Sequence, residues 1–174
     1  MAIFMRLAQT KDLAAIYDLI LQGKKLLAND RIPQWQGNYP QKADLLQDIT
    51  QKYAYVLINA DQLVGSATLF QEPDPNYRQI FTGKWQKSSS SKYATIHRIT
   101  IDPHFSGQHL GDFFFSNLVS EAYRLGFYEI RIDTHKKNQR MRYLITKTGF
   151  SFSGIVYMHQ DPHDQRLAYQ LFLK

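Results

Sequence analysis

Residues 99–111, reading ITIDPHFSGQHLG, join an apolar β-branched run to a helical pattern through an Asp-Pro and a short polar turn. Such a junction supports anion binding. Pro103 cannot donate to a strand ladder, and Gly107 and Gly111 let the backbone turn tightly and approach a ligand closely. The first turn of the helix that follows has N–H groups with no carbonyl to meet and carries the positive end of the dipole, so a pyrophosphate can be held there without a lysine. Two further polar sets bear on acid–base chemistry. His97 lies two residues before Ile99, and an imidazole titrates near neutral pH. Asp133, Thr134 and His135 end a second apolar run.

The elements that must position these residues follow from periodicity. Residues 3–7 read as a short strand. Thr10 offers an N-cap to a helix whose Leu13, Ile16, Tyr17 and Ile20 share one face. Residues 29–42 carry two prolines, Trp35 and Tyr39 in an irregular stretch expected to form a loop over a cleft, and a helix follows over residues 43–51. Residues 53–58 and 63–70 read as an antiparallel hairpin joined by residues 59–62. The pattern dissolves over residues 71–91, whose serine-rich end, GKWQKSSSSK, reads as a flexible hairpin loop. A strand over residues 93–101, a helix over 112–125 ended by Gly126, a strand over 128–134 and a helix over 138–147 then form a βαβα unit with a parallel crossover. Residues 152–158 and 166–173 close the chain as an antiparallel pair.

Composition bounds the partners. With 174 residues, 44% of them hydrophobic, the chain is expected to make a single domain, residues 1–174. A net charge of +6 suits an acidic ligand such as a polyphosphate cofactor. There is no cysteine, which excludes disulfides and thiolate chemistry. The N-terminus, whose apolar run is broken by Arg6, fits neither a signal peptide nor a membrane span, so the expectation is a cytoplasmic protein with no membrane partner.

The order β, α, α, β, β, β, α, β, α, β, β resembles the GNAT superfamily of N-acetyltransferases over almost the whole chain. The residues that carry the resemblance are HRITIDP at 97–103, SGQHLG at 106–111, RIDTHKKN at 131–138 and the closing Lys147, Thr148, Gly149 and Phe150. The turn departs from the family pattern, keeping its last glycine and placing Ser106 and His109 where other residues are usual. The resemblance implies an α/β fold with a central, mostly antiparallel mixed sheet splayed between its fourth and fifth strands and flanked by about four helices. It implies acetyl-CoA as co-substrate, with pantetheine along Ile99, Thr100 and Ile101. The pyrophosphate would lie on the turn from Ser106 through Gly107, Gln108, His109, Leu110 and Gly111 to Asp112. Asn138 matches the asparagine that reaches the cofactor's arm, and as an N-cap it has a structural reason as well.

The implied reaction is direct attack of a neutral amine, on a small molecule or a peptide, upon the thioester. His97 is the candidate base, sharing a face parity with Ile99 and Ile101, or else a histidine satisfied within the sheet. Asp133 binds a cationic amine or relays protons, or else pairs with Arg98 or Arg131. His135, Trp35 and Tyr39 are candidate acceptor contacts, the two aromatics alternatively plugging one end of the sheet; Tyr77 and Trp85 extend that wall or pack beneath the serine-rich loop. The family's tyrosine before the Lys-x-Gly-Phe ending is Ile145 here, and Tyr143 lies on another helical face. A noncatalytic acyl-CoA-binding or regulatory module is the alternative reading. His159, Asp161 and His163 cluster around Pro162 in what reads as a solvated turn, so no metal is expected. The basic set Lys136, Lys137, Arg140 and Arg142 suits cofactor phosphates or a solvated helix face better than nucleic acid. A homodimer is compatible with the sequence.

Overall fold

The structure, a computed structural model, describes residues 2–86 and 92–173; the expected serine-rich loop at 87–91 lies outside them. Seven strands form one mixed sheet in the order β1-β2-β3-β4-β5-β7-β6. They are β1 (Ile3–Leu7), β2 (Ala54–Asn59), β3 (Gln62–Phe70), β4 (Ala94–Ile101), β5 (Glu129–Thr134), β6 (Ser151–Tyr157) and β7 (Gln165–Phe172), with helices α1 (Leu13–Asn29), α2 (Lys42–Thr50), α3 (Leu110–Arg124) and α4 (Gln139–Lys147). The expected mixed sheet and four helices are present. Two compact units divide the chain: Met1–Phe70 with Ile96–Leu118, and Gln71–Thr95 with Val119–Lys174. No helix among the described residues is long and apolar enough to cross a membrane.

In the first unit, β1 pairs with β2 and β2 with β3, both antiparallel. The α1 stripe forms as its spacing predicts: Ile16 and Ile20 are buried with Leu45, Ile49, Val56 and Ile58, and Leu13 and Tyr17 pack against them. Thr10 is not the cap. A 3-10 turn spans Thr10–Asp12, and Asp12 reaches back to accept the Gln9 amide at 2.7 Å while pairing with Arg6. That carboxylate does the capping work, which leaves Thr10 inside the turn. Asp44 accepts the Gln41 amide at the start of α2 in the same way. The β2–β3 connection is shorter than expected: Ala60 and Asp61 alone turn the chain, both left-handed (φ 48° and 67°), and the strands extend to Asn59 and Gln62.

In the second unit, β5 pairs antiparallel with β7, and β7 with β6, so the last strand lies inside the closing hairpin. The parallel β4–β5 ladder comprises Ala94↔Ile130 and Thr95↔Arg131. At the end of α3, Gly126 (φ 85°) donates to the Tyr123 carbonyl and Phe127 to that of Ala122, closing the helix as the sequence predicts. The segment without periodicity supplies core nonetheless. Tyr77, 1% exposed, is buried with Tyr93, Val156 and Ala168, and Trp85 packs against them.

Gly23 is a point of close approach. A Cβ there would lie 2.9 Å from Thr100 Oγ1 and 3.4 Å from a Trp35 ring carbon. In an exposed helix Gly→Ala stabilises by about 1 kcal/mol. Here Gly23→Ala is expected instead to lower stability by about 1–2 kcal/mol, because the β-branched Thr100 cannot swing aside cheaply. Urea unfolding checks the sign.

Candidate active site

The polar turn after β4 is built as an N-terminal cradle. The Asp102 amide donates to the Val64 carbonyl, and its carboxylate accepts from the His104 amide at 2.9 Å, ending the strand in the 3-10 turn Pro103–Phe105. Gly107 (φ 81°) and His109 (φ 56°) are both left-handed, and Ser106, Gly107, Gln108 and His109 are exposed. The helix starts at Leu110, two residues before the periodicity places it, with the His109 carbonyl accepting from Phe113. The Gln108 amide is turned toward the Phe105 carbonyl at 3.4 Å. Leu110 and Gly111 therefore present the first-turn N–H groups for which the helix itself has no acceptor.

These residues fit an anionic group. The space around Gly107 is open, with no heavy atom within 4 Å of a built Cβ. Asp112 places a carboxylate in the same first turn, but the His109 imidazole takes it, Nδ1 to Oδ2 at 3.2 Å. His109 thus tolerates a left-handed backbone and also hydrogen-bonds the carboxylate of the first turn.

Within β4, Arg98 is left-handed at φ 51°. The two-residue alternation is broken there, so the face shared by His97, Ile99 and Ile101 cannot be counted through it. The His97 ring lies edge-on to Phe70, centroids 6.2 Å apart. Thr100 turns its hydroxyl toward the Leu19 carbonyl of α1, 3.5 Å away. Arg98 does not pair with Asp133. Its Nη1 binds Asp48 and its Nε donates to the Tyr39 hydroxyl at 2.9 Å, with the Tyr39 ring 5.2 Å from the guanidinium carbon. Burial opposes the charge, but Tyr39 and Asp48 more than offset it, and Arg98 holds its proton more firmly than a free arginine. Trp35 packs on the α1 cluster, whereas Tyr39 covers the ion pair.

In the second unit, Asp133 accepts from the Tyr77 hydroxyl at 2.7 Å and faces Arg166 Nε at 3.6 Å. Neither partner expected for it is the one found. Arg131 binds Glu129 at 2.6 Å and lies between the rings of Trp85 and Tyr93, 4.2 and 3.8 Å from their centroids. Burial, then the Asp133 charge, pushes the Tyr77 phenol well above its ordinary range, so it remains a donor. His135 is buried, and its Nδ1 accepts from the Lys137 amide at 3.2 Å, which puts the proton of the neutral ring on Nε2. Asn138 caps α4, accepting from the Met141 amide at 3.1 Å. Ile145 is fully buried and Tyr143 exposed. His159 and His163 are held through their own backbone amides by Asn76 and Asp161, and no group of three or more metal-ligating side chains gathers among the described residues.

Asp48 and Arg166 were missed in the sequence, and Tyr77 was read there as acceptor wall or as packing, not as a partner of Asp133. Their partners lie 50, 56 and 33 residues away, beyond any spacing rule. Asp48 alone leaves a trace, an acid on the buried face between Leu45 and Ile49.

Burial lowers the affinity of His135 for a proton, with Arg166 and Lys137 acting in the same direction. The unfolded imidazole titrates near 6.5, so the unfolded chain takes up this proton first as pH falls. Stability contributed by the neutral ring is therefore complete above about pH 6.5 and declines below it. Between pH 7.5 and 5.5 the protein is expected to lose unfolding free energy relative to His135→Gln, measured by urea titration. Parallel curves would show that His135 titrates alike in both states.

The comparisons converge. No curated protein matches the chain. The family model for the acetyltransferase (GNAT) family matches residues 24–150. An acetyltransferase of that family from Streptococcus agalactiae superposes with a TM-score of 0.90 at 30% identity, covering 99% of this chain and 96% of that one. A GNAT acetyltransferase from Listeria monocytogenes gives 0.76 at 20% identity over 98% and 95% of the two chains. The yncA protein of Salmonella typhimurium, solved with its cofactor acetyl-CoA, gives 0.70 at 18% over 100% and 95%; at these lower identities the likeness is one of fold. Together with the mixed seven-stranded sheet, the match over residues 24–150 establishes that this chain belongs to the GNAT acetyltransferase family, acyltransferases that use acetyl-CoA.

Proposed function

We propose that the chain acts in the cytoplasm as one catalytic domain, residues 1–174, transferring an acetyl group from acetyl-CoA to a primary amine of a small molecule or peptide. The observation that carries this reading is the helix N-terminus at Leu110 and Gly111, entered through an exposed turn, residues 106–109, with two left-handed residues and with the Asp112 carboxylate hydrogen-bonded to His109. Acetyl-CoA supplies an activated acetyl thioester when bound. The first-turn amides and the helix dipole hold its pyrophosphate, with Ser106, Gly107, Gln108, His109 and Asp112 shaping the turn. The backbone of Ile99, Thr100 and Ile101 orients the pantetheine, and Asn138 lends its amide to the same arm.

His97 is assigned the proton lost by the attacking amine as the new N–C bond forms and the C–S bond breaks. Its ring lies edge-on to that of Phe70. Asp133 is assigned an electrostatic role. Its carboxylate is already taken by Tyr77 and Arg166, which suits a fixed negative charge favouring a cationic nitrogen better than a mobile base. Trp35, Tyr39 and the Nε2–H of neutral His135 are assigned to the acceptor. With Ile145 buried and no phenol in its place, the departing thiolate takes its proton from another group or from solvent.

Thiol release measured with a panel of amines tests the reading. Saturable acetyl-CoA binding with no acceptor-dependent release would instead identify a noncatalytic acyl-CoA-binding module. His97→Ala is expected to lower kcat by about 10²-fold or more while acetyl-CoA affinity changes little; equal turnover would remove His97 from the mechanism. Gly111→Ile, which places a branched side chain in the first turn, is expected to weaken acetyl-CoA binding in calorimetry by at least about tenfold. Unchanged binding would place the phosphate site elsewhere.

A further inference from the structure

We propose that Arg98 is a positioning residue, its side chain forming with Asp48 and Tyr39 a brace that holds the left-handed break in β4 and so sets the strand edge along which acetyl-CoA is oriented. The inference rests on the assignment of Ile99, Thr100 and Ile101 above and adds to it the device that fixes them.

A non-glycine residue in the middle of a strand does not stay left-handed without support. Arg98 does so at φ 51°, and its side chain is tied at two nitrogens to two different segments: Asp48 on α2 and Tyr39 in the loop between α1 and α2. Asp48 is anchored in turn by the Thr68 hydroxyl of β3, 2.7 Å away and buried. The backbone break is therefore connected through one guanidinium to a strand, a helix and a loop.

The arrangement is a poor way to gain stability. The Arg98 side chain is 16% exposed and that of Asp48 5%, so both charges have lost most of their water. A small cavity beside them is lined by Asp48, Thr68, Arg98 and Ser66, and the Ser66 hydroxyl is buried there without a hydrogen-bond partner. Apolar side chains of similar volume would fill this space at no greater cost. What they would not do is hold β4 out of its regular course. Past the break, Thr100 faces α1 and a Cβ on Gly65 would meet the Ile101 side chain, so the direction of each following residue depends on the break remaining in place.

The decisive comparison removes the ion pair and varies only the backbone. Arg98→Gly/Asp48→Asn and Arg98→Ala/Asp48→Asn both lack the brace, but glycine enters the left-handed region freely and alanine does not. The glycine pair is expected to bind acetyl-CoA in calorimetry within about twofold of the parent protein and the alanine pair at least about fivefold more weakly. Equal loss in both would mean that Arg98 touches the ligand itself, and equal retention that the break needs no brace; either overturns the proposal. Amide hydrogen exchange in Tyr39→Phe, which removes one hydroxyl, gives a reading that needs no cofactor and no buried substitution. Exchange at residues 97–99 is expected to accelerate several-fold with the β2 amides unchanged, and unaltered rates at 97–99 overturn the brace. If the parent protein fails to bind acetyl-CoA, the functional assignment fails while the exchange result still decides the brace.

Discussion

The first unit depends on a guanidinium that has lost most of its water. An uncompensated charge in that position would cost about 3–5 kcal/mol, so Arg98 requires an acid, and the acid must come from a helix able to present it on its buried face. Asp48 lies between Leu45 and Ile49, and the same side of α2 that contributes to the apolar cluster delivers the carboxylate. Thr68 and Tyr39 complete the coordination from β3 and from the loop before α2. Packing and charge neutralisation are satisfied by one placement of one helix, which makes α2 more than a cover for the strands.

The second unit solves its charge problem with aromatic rings. Glu129 is buried and neutralises Arg131, whose planar guanidinium is sandwiched by Trp85 and Tyr93, while Gln170 donates to the same Glu129 carboxylate. Asp133 is handled separately by Tyr77 and Arg166. The side chains of these acids and bases are therefore spent on one another within the second unit.

Much of the scaffold was legible because it repeats. The α1 stripe, the strand runs, Gly126 as a stop and Asn138 as a cap each rest on a local rule, and each element lies within two residues of its expected bounds. The turn after β4 was legible for the same reason, since Pro103, Gly107 and the following helix are contiguous. Local rules failed where a distant residue did the work. Asp12 displaced Thr10 as a cap, and Arg98 broke the alternation from which the face of His97 had been counted. The partners of Arg98 and Asp133 were invisible because contacts over 50 residues or more leave no spacing in the chain.

The placement of the two tryptophans has a spectroscopic consequence. Trp35 packs against the α1 cluster of the first unit, close to Gly23, and Trp85 donates its indole N–H to the Tyr77 carbonyl in the second. The chain contains no others, so each unit carries its own intrinsic fluorophore. Trp85 lies beside a stacked guanidinium and a hydrogen-bonded carbonyl, whereas Trp35 packs on an apolar cluster. Single-tryptophan versions of the protein would follow the melting of each half by wavelength alone, making the cooperativity between them a directly observable quantity.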